Sequence, residues 1–150
     1  MNENVFTIGV AGYCPPSEYD RAEAERLVRE ALAEAVRLAP EGAEIRMAGG
    51  WSDTGIHGQA YHIAKYEYGW YVIGFGSQMI VLESEGGEYE LFPVDEHHKV
   101  GTQWGDESHE FVAACDALVR IGGGVQSHNE CEAMLKQGKH VITRELEKLN

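Results

Sequence analysis

The stretch ALVRIGGGVQSHNE, Ala117 to Glu130, decides how this chain is read. An apolar run ends on three glycines, and Ser127, His128 and Glu130 follow at the head of a helical pattern that Gly138 closes. Two accounts of the turn stand side by side. Ser127 and Glu130 have the S-x-x-E spacing of a helix capping box, with the glycines present for positive φ. Alternatively, free N–H groups at Val125 to His128 face the strand ends, where they and the helix dipole favour an anion such as phosphate. Glu130 then reaches past the phosphate to a sugar, as an acceptor for hydroxyls or a stabiliser of positive charge.

Outward from this stretch, strand-like and helix-like segments alternate. Val5 to Gly12 reads as a buried strand. Ser17 and Asp20 resemble a capping box, and Leu27, Val28, Ala31, Leu32, Ala35 and Val36 recur at helical spacing until Pro40 and Gly42. Ala43 to Gly50 and Trp70 to Gly76 read as further strands, with a helix marked by Ile56, Ala60, Ile63 and Ala64 between them. Met79 to Val94 reads as a hairpin turning at Gly86-Gly87, or as an acidic loop. Asp95 to Glu107 reads as irregular. Phe111, Val112 and Cys115 suggest a short helix, Gln126 to Gly138 a longer one, Lys139 to Thr143 a last strand, and the tail a helical turn.

Alternation with glycine at the strand ends predicts the α/β class: a single Rossmann-like domain over residues 1–150, a parallel sheet with helices on both faces. Ligands of such sheets sit outside the carboxyl ends of the strands. Four loops therefore should meet there: Gly12 to Ser17, Gly49 to Gly58, Gly76 to Gln78 and Gly122 to Ser127.

The 150 residues carry 12 basic and 25 acidic side chains, a formal charge of -13, which repels nucleic acid from most of the surface. Three cysteines, Cys14, Cys115 and Cys131, make no disulfide framework. No basic leader is visible, and no apolar run approaches the roughly 20 residues of a membrane helix. The chain is read as cytoplasmic, with no membrane partner. His57 and His62 are five apart and HExxH is absent, so no metal and no resident cofactor are expected.

GGVQSHNE, Gly123 to Glu130, resembles the GGxGTxxE signature of the lysine decarboxylase-like (LOG-like) proteins within the SLOG superfamily. Gly, Gly, a hydroxyl and Glu are in place, and Gln126 replaces the third glycine. The order of Met47 to Phe75 (glycine turn, helix, apolar strand) and Asp116 before the last glycine-rich strand are similar to the family too. The resemblance implies a Rossmann-like fold, phosphoribohydrolase chemistry on nucleotides, and a homodimer or larger assembly. It departs at one place. Where those hydrolases carry arginine and then lysine, this chain has Glu107 and Ser108. Arg120 lies near, as a partial substitute or as an edge arginine.

The expected ligand is a small nucleotide-like molecule. Gly12, Tyr13 and Cys14, then Gly49, Gly50, Thr54 and Gly55, then Arg120, Gly122, Gly123, Gly124, Val125, Gln126 and Ser127 are the binding candidates. Asp53 or Thr54 also suits an N-cap, and Trp51 either stacks on a base or packs the core. Three functions follow: a module that binds a nucleotide or nucleotide-derived signal; an N-glycosidase with Glu130 on the sugar and His57, Glu107 or Asp106 handling the proton; or a sugar-transferring relative with Glu130 as nucleophile.

Overall fold

The computed structural model describes residues 4–150. Six strands form one sheet: β1 (Val5–Gly12), β2 (Glu44–Gly49), β3 (Tyr71–Gly76), β4 (Glu96–Lys99), β5 (Ala117–Ile121) and β6 (His140–Arg144). Their spatial order is β4-β3-β2-β1-β5-β6 and every pairing is parallel. Successive strands step one way from β1 to β4, and the chain then returns to the other side of β1. The order reverses between β1 and β5, where open α/β sheets leave a crevice for ligands.

Five helices cover the sheet: α1 (Arg21–Val36), α2 (Gly55–His62), α3 (Gln78–Glu85), α4 (Ser108–Ala114) and α5 (Val125–Lys136). A wider turn, Ile63–Glu67, prolongs α2. Ala24, Leu27, Val28, Ala31, Leu32 and Ala35 bury one stripe of α1, which shares a core with α2 and one face of β1. Phe111, Val112, Cys131 and Met134 build the opposite core from α4 and α5. Helices on both faces are what the alternation predicted. No helix among the described residues is long and apolar enough to cross a membrane.

Two aspartates set strand register. Asp116 accepts from Thr7 N at 2.8 Å while its own N–H donates to Thr7 O, which fixes the entry to β5 against β1. Asp95 repeats the device on Val72, before β4. Each aspartate thus supplies acceptor and donor at a strand start, where the ladder has not begun.

Several expectations are corrected. Met79 to Val94 is no hairpin: Ser77 accepts from Met79 N and caps α3, and Gly86 and Gly87 follow as its terminating turn. Asp95 to Glu107 is not wholly irregular, because Glu96–Lys99 pairs with β3 as the edge strand β4. The last six residues form no helical turn. Asp20, not Ser17, caps α1, accepting from Glu23 N at 3.1 Å. Thr54 does occupy the N-cap position of α2 but makes no capping bond. Ser127 and Glu130 are no capping box either. Gly124 is the N-cap of α5, so Ser127 lies in the first turn, where its hydroxyl donates back to Gly124 O at 3.0 Å.

Candidate functional site

At the carboxyl ends of β1, β2, β3 and β5 lies a cavity of about 460 Å³, in the size range of small-molecule sites. The sequence-predicted Gly12, Tyr13, Cys14, Gly49, Gly50, Thr54 and His57 line it from one side. Gly124, Val125, Gln126, Ser127 and Glu130 line it from α5, and Glu107 lies beside them.

The remaining predicted residues sit elsewhere. Gly55 opens onto a second cleft with Arg21, Asp53 and His62. Gly122 and Gly123 are outside the lining and shape the turn instead, with φ of 58° and 102°. Arg120 also lies outside it: its guanidinium donates to Gly122 O at 2.7 Å and to Glu145 at 3.0 Å. That buried arginine secures the glycine turn and supplies no cation to the cavity. Trp51 is a core residue, 8% exposed, stacked on His97 at 4.6 Å and packed over Gly74, so it presents no free face to a base.

The first turn of α5 is the anion-tolerant part of the wall. The N–H groups of Val125, Gln126 and Ser127 have no intrahelical partner, and the helix dipole adds partial positive charge there. His128 N–H is already taken by Gly124 O.

Next to that turn lie two acids. Glu130 Oε2 accepts from Ser108 Oγ at 2.7 Å and from Gln126 Nε2 at 3.4 Å. Burial pushes its carboxyl above the usual carboxylate range, against the lowering effect of those two donors. Burial raises Glu107 as well, and its Oε2 is closed off from water without a hydrogen-bond partner. A carboxyl raised in the fold is favoured in its protonated form. Its contribution to stability is intact below the unfolded pKa and is lost as pH rises through the folded one. Glu107→Gln is therefore expected to stabilise the protein by about 1 kcal/mol at pH 7. The gain should vanish below the ordinary value of 4.5. Thermal melts across that pH range check both halves.

Opposite α5, Ser52 Oγ sits 2.8 Å from His57 Nε2 and 2.6 Å from Thr54 Oγ1. Gly49 and Gly50 leave the space this needs: a Cβ on Gly50 would press on the imidazole, and one on Gly49 on the His57 Cβ and the Tyr61 ring. Desolvation lowers His57 from 6.5 to about 4, against the opposing pull of Asp53. The neutral imidazole of His57 is thus the favoured form at physiological pH, with one ring N–H and one acceptor nitrogen. The Cys14 thiol is raised by desolvation, which disfavours a reactive thiolate.

Ser52, Ser108, Tyr89, Trp104 and Phe111 were not picked out from the sequence. Ser52 was within reach of a spacing argument from His57. Ser108 and the three aromatics arrive from α4 and from the segment after β3, whose path the sequence left open. Among the described residues no cluster of three or more His, Cys, Asp or Glu side chains has metal-binding geometry.

Fold and cavity together define a Rossmann-like α/β protein with a cleft at the strand-order switch. No protein-family model matches the chain, and no curated protein matches it. Solved structures do. The molybdenum cofactor binding protein of the phototrophic bacterium Rippkaea orientalis superposes with a TM-score of 0.67 at 20% identity, over 94% of this chain and 77% of that one. The molybdenum cofactor carrier protein of Chlamydomonas reinhardtii gives 0.61 at 21% identity, over 93% and 76%. The structural-genomics target TM1055 gives 0.64 at 20%, over 91% and 72%. At these identities the likeness establishes a shared Rossmann-like fold, in keeping with the LOG-like resemblance, and no particular family.

Proposed function

We propose that this chain binds a nucleotide or nucleotide-derived small molecule in the cavity at the strand ends. The glycine-rich turn before α5 presents Val125, Gln126 and Ser127 N–H groups to the phosphate. The ring lies among the aromatic side chains. One observation carries this reading: a single cavity at the switch point has the open start of α5 on one side and Phe75, Tyr89, Trp104 and Phe111 on others. The two neighbours described as binding or carrying the molybdenum cofactor make that cofactor one ligand to try beside the nucleotides.

Val125→Pro tests the phosphate contact. Val125 is the first residue of α5 and exposed, a position where proline fits the backbone and removes only an N–H the helix does not use. Calorimetric titration with GMP and AMP should show affinity about tenfold weaker than wild type, with the melting temperature preserved. Equal affinity in the variant would place the phosphate elsewhere.

The hydrolase reading has an observation of its own in the two raised carboxyls, Glu107 and Glu130, on the cavity wall. In it Glu130 stabilises positive charge on the sugar as the base departs, and Glu107 supplies the proton. Chromatography of nucleoside monophosphates incubated with the protein separates the two readings, since only the second frees a base. The family resemblance also implies a homodimer, which light scattering at micromolar concentration tests.

A further inference from the structure

Among the described residues the charged side chains on the cavity wall are Glu83, Glu107 and Glu130, and no lysine or arginine lines it. Outside the first turn of α5 the wall therefore repels anions and carbonyl-rich surfaces and attracts donors. Glu107 is 8% exposed, and its Oε2 is a buried acceptor without a donor. Such groups are rare in folded proteins, because the lost hydrogen bond to water is not regained. Ser108 Oγ and Gln126 Nε2 serve Glu130 Oε2, and although Gln126 and the backbone at Gly105 and Glu107 also donate to the Glu107 carboxyl, its Oε2 is left without a donor. Phe111 and Trp104 line the same cavity, and aromatic faces suit a flat ring.

We propose that the Glu107–Glu130 end of the cavity selects its ligand by a nitrogen-donor edge, an amine beside a ring N–H on a flat heterocycle. Two adjacent N–H groups match a carboxylate bidentately, and charge-assisted pairs of this kind are the strong ones. The missing partner of Glu107 is then supplied by the ligand, and a ring offering only acceptors on that edge is rejected by unpaired lone pairs. This specificity rests on the nucleotide-binding reading for its phosphate and not for the edge itself, which a phosphate-free ring would also satisfy.

Two matched probe pairs separate those layers. GMP and IMP differ by the exocyclic amine alone, as do 2-aminobenzimidazole and benzimidazole, which carry no phosphate. Titration of each should show the aminated member bound about tenfold more tightly. In Glu107→Gln, a thermal melt having shown the variant folded, both ratios should fall close to one. Equal binding of GMP and IMP by wild type, or a ratio unchanged in the variant, overturns the proposal and leaves the phosphate reading standing. If neither nucleotide binds while 2-aminobenzimidazole binds through Glu107, the phosphate reading fails and the edge specificity survives. If no probe shows the preference, the proposal is wrong.

Discussion

Gly123→Ala should lower stability by roughly 3 kcal/mol, a fall of about 6–12 °C in Tm, and, under the proposed binding role, abolish nucleotide binding. Gly123 has φ of 102°, where a side chain is strained whatever space surrounds it. The space is also filled: a Cβ would overlap Ser127 Oγ and stand 3.1 Å from Gly12 Cα. The Gly12 backbone belongs to the end of β1 and has little freedom to yield. Ser127 must therefore move, which breaks its bond to Gly124 O and reorients the first turn of α5. Gly124→Ala is the control. It is exposed, its φ is -103°, and nothing lies within 4 Å of an added Cβ. That variant should lose less than about 1 kcal/mol, the modest change expected at an N-cap. Chemical denaturation of the pair decides the matter: equal losses would mean that the turn tolerates bulk and that its geometry does not set the site.

The parts legible from sequence are those where one physical demand acts alone. β1 and β5 are buried on both faces, so Val5–Gly12 and Ala117–Ile121 read as apolar runs with no competing pattern. α1 carries a clean stripe because one side meets the core and the other water. The loops after β1, β2 and β5 meet at the cavity because parallel strands deliver their carboxyl ends to one edge, whereas Gly76 to Gln78 does not line it and β3 reaches it through Phe75, with Ile80 and Glu83 from α3. The stretch from Ser77 to Glu107 was harder for an equally physical reason. In α3 the apolar run Met79–Leu82 is too short to choose between strand and helix, and Ile80 is its only buried residue. β4 is an edge strand whose polar sequence, EHHK, hides the stacking of His97 on Trp51 and of His98 on Phe75. Losing that stretch meant losing Glu83, Tyr89 and Trp104 as wall residues. It also left Glu107 as a motif departure and a candidate proton carrier, without its burial or its unmet oxygen.

The Ser127–Glu130 spacing shows how a short pattern misleads. Its capping-box reading requires Ser127 to precede the helix. Consecutive positive φ at Gly122 and Gly123 turns the chain sharply enough for α5 to begin at Val125, three residues earlier than that reading requires. Glu130 is thereby released from the backbone and carried to Ser108, across the cavity wall. The same glycines that a capping explanation treats as permissive are what makes both residues available to a ligand.

His57→Gln should flatten the acid limb of the stability profile, with wild type losing about 2 kcal/mol more than the variant between neutral pH and pH near 4.5. The imidazole is lowered from 6.5 to about 4 in the fold, chiefly by desolvation. The folded protein thus binds fewer protons than the unfolded chain across that interval. Stability attributable to His57 is complete above 6.5 and drains away as pH falls toward 4. Glutamine places a nitrogen near the position of Nε2, so Ser52 keeps a partner beside Thr54, and the variant carries no titrating ring. Glu107 and Glu130 act in the opposite sense, gaining relative stability as acid neutralises them. They are present in both proteins and cancel in the comparison. Asp53 is the charged group acting on His57, and it pulls the imidazole upward; removing it would deepen the depression. Denaturation curves at several pH values, taken for both proteins, supply the test. Parallel profiles would mean that the ring is solvated in the folded state, and the tight wall formed by Gly49, Gly50 and Ser52 would then have to be open to water.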